Sequence, residues 1–154
     1  MLASLASSMK ASGGRIVKLD IASRFDLLEM IQTVLTGLSV IAGFDEDGAH
    51  YTSVAVREAV INAIKHGNQV DESKRVVIVF SLQPGALEIE VRDQGKGFDP
   101  STIPDPVAPE NILKVDGRGI FFMRSFMDEV TYTFPRRGGT VVRMVKRIAA
   151  EAAG

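Results

Sequence analysis

The chain of 154 residues has a formal net charge of -1 and is 45% hydrophobic, which predicts one folded domain and excludes a disordered chain or a strongly basic nucleic-acid binder. It contains no cysteine, so disulfide frameworks and thiolate metal sites are excluded too, and a reducing, cytoplasmic setting fits. No apolar run comes near the ~18 residues of a membrane-spanning helix, so no membrane partner is expected.

Met1 to Gly14 has no basic residue ahead of its apolar part, and serines interrupt that part. It reads as a mobile tail rather than a signal peptide, which leaves residues 15–154 as the single domain. RIVKLDI, Arg15 to Ile21, alternates as a strand does. Ser23 with Asp26 three residues on carries a capping-box signature for a helix that stops at Gly43. Its apolar Leu27, Leu28, Ile31 and Leu35 fit a dimer surface or, more commonly, the domain's own core. A second helix is expected from Asp45 or Glu46 to His66. RVVIVFSL and ALEIEVRD then form a hairpin around Pro84-Gly85, which suits a type II turn. Leu87, Ile89 and Val91 alternate with Glu88, Glu90 and Arg92, predicting one core face and one wet face.

Phe98 to Asp116 holds four prolines and no clear period. Structureless stretches beyond about 12–15 residues are usually functional or disordered, so this is a ligand lid or an insertion. GRGIFFMRSFM reads as a third helix, and DEVTYTF with TVVRMVKRI as a closing hairpin around RRGG. The predicted fold is an α/β (α+β) two-layer sandwich, with a mixed, mostly antiparallel sheet covered on one face by three helices.

Three stretches can carry chemistry. In VREAVINAIKHGN, Glu58, Asn62 and His66 are spaced four apart and share a helix face. Glu58 and Asn62 lie about 6 Å apart along the axis, so a carboxylate can face a hydroxyl while an amide oxygen holds Mg²⁺. Taken alone, that line is an ordinary solvated face. Asp93, Gly95 and Gly97 form D-x-G-x-G at a strand end, where glycines allow close backbone approach and a carboxylate can accept from a base's exocyclic amine. Gly117, Arg118 and Gly119 open the third helix, whose N–H groups and guanidinium favour phosphate.

In this order the motifs resemble the ATP-binding domain shared by DNA gyrase, the Hsp90 chaperones, histidine kinases and MutL, over nearly the whole chain from Arg15 to about Ile148. EAVINAIKHGN, VRDQGKGFDP and GRGIFFMRSFMDEV most resemble the branch of serine-protein kinases that act as anti-sigma factors. The resemblance implies a Bergerat-type fold with a long ATP lid. It implies ATP and Mg²⁺ as cofactors and a serine of a small anti-sigma factor antagonist as substrate. A sigma factor is a second partner in many members, and the branch tends to be dimeric. Glu58 is then the general base and Asn62 the Mg²⁺ ligand. Asp93 reads the adenine amine with Thr140 and a water, Gly95 and Gly97 admit the nucleotide, and Gly117, Arg118 and Gly119 cradle phosphates. Lys65 matches a basic position of the first motif that reaches a phosphate, and His66 helps end the helix.

The alternative is a nucleotide-binding module that sequesters a regulator without phosphorylating it. Retention of both Glu58 and Asn62 favours the kinase. Length opposes an ATPase core of a larger machine. A sensor histidine kinase is disfavoured because His50 and His66 are the sole histidines and neither lies in a dimerisation helix.

Overall fold

The computed structural model describes residues 15–96 and 126–148. The tail 1–14, Gly97 with the whole proline-rich stretch, the third-helix start with Gly117, Arg118 and Gly119, and residues 149–154 lie outside the described residues. The elements are β1 (Ile16–Ala22), α1 (Leu28–Ala42), α2 (Glu46–Asn62), β2 (Arg75–Gln83), β3 (Ala86–Arg92), β4 (Glu129–Thr133) and β5 (Val141–Arg147).

The five strands form one sheet in the order β1-β2-β3-β5-β4, and every described pairing is antiparallel. The expected mixed character is therefore not seen among the described strands. Alternation sends Val17, Leu19 and Ile21 of β1, Val76, Ile78 and Phe80 of β2, and Leu87, Ile89 and Val91 of β3 to the face under the helices. Residues such as Phe80, Ile31, Leu35 and Val60 are closed off from solvent, and each such side chain contributes about 1.5–3 kcal/mol of burial.

Leu28, Ile31 and Leu35 of α1 sit in this core, so the stripe serves the domain itself. The segment Phe25–Ala42 has 18 residues and a mean hydropathy of 1.4, long and apolar enough by composition to cross a membrane. That corrects the expectation that no run comes near this length. One face of it, with Leu28, Ile31, Leu35 and Leu38, is buried in the core, while Met30, Val40 and Ile41 are exposed.

The capping box is also corrected. Ser23 lies fully buried, and its Oγ donates to the Lys74 carbonyl at 2.8 Å rather than serving the helix start. Phe25–Leu27 form a 3-10 turn leading into α1. At the other end Gly43, with φ 79°, donates to the Ser39 and Val40 carbonyls, as a left-handed C-terminal cap does. Helix α2 starts on Asp45, whose Oδ1 accepts the Gly48 N–H at 2.7 Å.

The α-helix does not reach His66. It ends at Asn62, and Ala63–Gly67 form a π-turn closed by the Asn68 N–H donating to the Ala63 carbonyl at 2.8 Å. The wet face expected for β3 is corrected as well: Glu88 and Glu90 are buried. Register explains this, because β5 places Arg143 opposite Glu90. Arg143 Nε donates to Glu88 at 2.6 Å, and Arg92 folds onto Glu90 at 2.7 Å. Charge pairing compensates each carboxylate for lost water.

Candidate functional site

The sheet register builds the centre of the site. Arg92 at the end of β3 pairs with Val141 at the start of β5, so the next rung sets Asp93 opposite Thr140. The Asp93 N–H donates to the Thr140 carbonyl at 3.0 Å. The Thr140 N–H donates back to Asp93 Oδ1 at 3.1 Å, and the Gly95 N–H donates to the same oxygen at 2.9 Å. Oδ2 accepts no hydrogen bond among the described residues and faces Gly67.

Three glycines make this clustering sterically possible. A methyl on Gly67 would lie 2.3 Å from Asp93 Cγ and Oδ2, and one on Gly95 would lie 1.8 Å from the Gly67 carbonyl oxygen. Gly139, with φ +84°, would carry its methyl 2.2 Å from the Asp93 carbonyl oxygen. Gly67 therefore packs directly on the carboxylate, Gly95 on the Gly67 main chain and Gly139 on the Asp93 main chain, close approaches that a side chain would prevent. Burial pushes the Asp93 carboxyl above its ordinary value, against the pull of the Gly95 and Thr140 N–H groups and the Lys74 charge.

Thr140 is 2% exposed, and its Oγ1 has no hydrogen-bond partner among the described residues. A buried hydroxyl left unpaired is destabilising, so such an orphan marks a place for a ligand or a bridging water. An oxygen that can accept from an amine, beside a hydroxyl that can donate to a ring nitrogen or a water, fits the edge of an adenine.

Glu58 and Asn62 lie one turn apart on α2, both half-buried, and neither side chain bonds to another described residue. Asn62 is five residues before Gly67, roughly 7 Å along the axis. The amide oxygen of Asn62 suits Mg²⁺, which prefers hard oxygen and keeps waters and phosphates as its other ligands. No cluster of three acidic or histidine ligands occurs among the described residues, so a fully protein-built metal cage is not seen there. Lys65 and His66 are exposed in the π-turn.

Sequence reasoning missed several residues that shape this centre. Gly67, the residue after the expected helix end at His66, forms the floor under Asp93. Asn68 is fully buried and links three segments. A buriable amide directly after a helix-ending glycine was the available signal. Val70 and the preceding Gln69 take φ of 56° and 53°, and the Val70 N–H donates to the Ile64 carbonyl at 2.7 Å. Nothing in their residue types points to a left-handed backbone.

The model of the histidine kinase-like ATPase domain family matches residues 21–146. The serine-protein kinase RsbW of Staphylococcus aureus is 30% identical over 142 residues, covering 88% of both chains. SiaB in the SiaB-SiaC complex of Pseudomonas aeruginosa shares the fold, with a TM-score of 0.68, 15% identity, and coverage of 94% of this chain and 97% of that one. A Mycobacterium tuberculosis protein with RsbU and RsbW domains matches at a TM-score of 0.65 and 17% identity over 89% of this chain, which spans 33% of that longer one.

Proposed function

The chain belongs to the histidine kinase-like ATPase domain family, and from that premise we propose that it is an ATP-dependent serine-protein kinase acting as an anti-sigma factor in partner switching. Its substrate is a serine of a small anti-sigma factor antagonist in the cytoplasm. The observation that carries this reading is the Asp93–Thr140 centre: an acceptor carboxylate and an orphaned buried hydroxyl walled by glycines. The RsbW relative is named a serine-protein kinase, and the SiaB neighbour is seen in complex with a second protein.

In this mechanism Asp93 accepts from the exocyclic amine of adenine, and Thr140 binds the ring edge directly or through a water. Gly95 and Gly97 let the backbone approach the nucleotide. Gly117, Arg118, Gly119 and Lys65 hold the phosphates. Asn62 holds Mg²⁺, which when bound neutralises charge on the phosphate oxygens. Glu58 takes the proton of the incoming serine hydroxyl. The serine oxygen bonds to the γ-phosphorus as its bond to the bridging oxygen breaks, and ADP leaves.

The test mixes the protein with γ-labelled ATP, Mg²⁺ and antagonist-type proteins from its own genome. Label on one serine of one candidate is expected. Nucleotide binding without any label on the bound partner would replace the kinase with a sequestering module.

A further inference from the structure

Asn68 lies outside every role given so far, yet it is fully buried and bonded on three sides. Its Nδ2 donates to Ser23 Oγ at 2.8 Å and to the Arg75 carbonyl at 3.0 Å. Its Oδ1 accepts the Gln94 N–H at 2.8 Å. Ser23 in turn donates to the Lys74 carbonyl at 2.8 Å, and Gln94 Oε1 accepts the Arg75 N–H at 2.6 Å. One amide thus joins the end of β1, the start of β2 and the segment leaving β3.

Gln94 follows Asp93 directly. The Asp93–Gln94 backbone is held from the β5 side by Thr140 and from the opposite side by Asn68. The Asn68 N–H also closes the π-turn onto the Ala63 carbonyl at 2.8 Å, which presents Gly67 against the Asp93 carboxylate. The same residue therefore sets the wall and the floor of the adenine site. A shorter side chain leaves the Gln94 N–H unpaired and unties the turn from Ser23 and the Arg75 carbonyl, although the backbone N–H still closes it onto Ala63.

We infer that Asn68 is a positioning residue for adenine recognition, holding Asp93 in its accepting geometry through Gln94 and the Gly67 turn. This rests on the nucleotide-binding reading above. The position of Asp93 governs binding of the base and not the phosphates. Loss of Asn68 therefore weakens ATP and ADP by the same factor and spares the transfer rate at saturating ATP.

The experiment measures dissociation constants for ATP and ADP and the saturated transfer rate in wild type, Asn68→Ala, and Leu35→Ala as a core variant that loses stability far from the site. Asn68→Ala is expected to weaken both nucleotides at least about tenfold, to hold its saturated rate within about twofold, and to differ in this from Leu35→Ala. Equal nucleotide affinity in Asn68→Ala and Leu35→Ala would overturn the role of Asn68 while leaving the kinase reading intact. Failure of wild type to bind any adenine nucleotide would overturn the kinase reading first. Hydrogen exchange on wild type decides the case even when Asn68→Ala does not fold. The Gln94 amide is expected to be protected, and further slowed together with Thr140 by ADP. Free exchange at Gln94 in both states removes the link and the inference with it.

Discussion

Replacing Gly67 by alanine isolates the geometry of Asp93 from most other effects. Gly67 is not among the residues with positive φ, so alanine there strains no backbone, and helix propensity favours it by up to ~1 kcal/mol. The added methyl would lie 2.3 Å from Asp93 Cγ and Oδ2. Carbon contacts settle near ~3.5 Å, so the carboxylate must retreat by about 1 Å. That shift draws Oδ1 away from N–H groups now at 2.9 and 3.1 Å and misplaces Oδ2 for an incoming amine. A hydrogen bond to a charged group contributes about 1.5–3 kcal/mol, so its loss raises the dissociation constant for adenine nucleotides roughly 10–150-fold. Titration calorimetry with ADP and Mg²⁺ reads this directly. Gly85→Ala is the control: φ +77° makes alanine strained by about 1–2 kcal/mol, but open space surrounds it in the β2–β3 turn. That variant melts earlier and binds normally. Wild-type affinity in Gly67→Ala would refute the packing of this glycine against a nucleotide-reading carboxylate.

Asp93→Asn abolishes the rise in melting temperature that Mg²⁺-ATP gives wild type. Because burial raises the folded-state pKa of Asp93, its contribution to stability is present at low pH and lost as pH rises through that value. The apo variant therefore gains stability relative to wild type as pH climbs above 3.8, and the gap closes in stronger acid; denaturant melts across pH check this, and a gap of opposite sign would contradict it. Gly37→Ala, in the interior of α1 with nothing within 4 Å of the new methyl, is expected to stabilise by about 0.5–1 kcal/mol in urea unfolding. Val70→Gly relieves a β-branched side chain at φ 56° and is expected to gain about 1 kcal/mol after the entropy of glycine is set against it. A loss of stability in Val70→Gly would mean that its exposed side chain packs better than its position indicates.

The strands were legible because alternation at β1 and β3 is a local property, and the inward set Leu87, Ile89 and Val91 is the buried one. The fate of the outward set was not local. Glu88 and Glu90 are buried beneath β5, whose Arg143 reaches Glu88 and lies opposite Glu90, and this depends on β5 inserting between β3 and β4; Arg92, on β3 itself, completes the pairing of Glu90. Ser23 shows the same conflict: its short-range spacing to Asp26 signals a cap, but Lys74 and Asn68 claim its hydroxyl across the fold. Asp93 and Gly95 were legible as a D-x-G-x-G turn at the end of a strand, whereas Thr140 entered only through the family resemblance, and it is the β3–β5 register that sets it opposite Asp93. The π-turn was not, since it depends on Asn68 bonding residues far along the chain. Glu58 and Asn62 were legible as a shared face, and α2 keeps them so.

The most direct test of the account is the rate of phosphate transfer by Glu58→Gln at saturating Mg²⁺-ATP, measured with the antagonist that wild type labels. Loss of a positioned base predicts a rate roughly 10²–10⁴-fold below wild type, with the dissociation constant for ATP unchanged. Transfer at the wild-type rate would contradict the assignment of Glu58 as the base and, with it, the reading of the α2 face as the reacting side of a kinase.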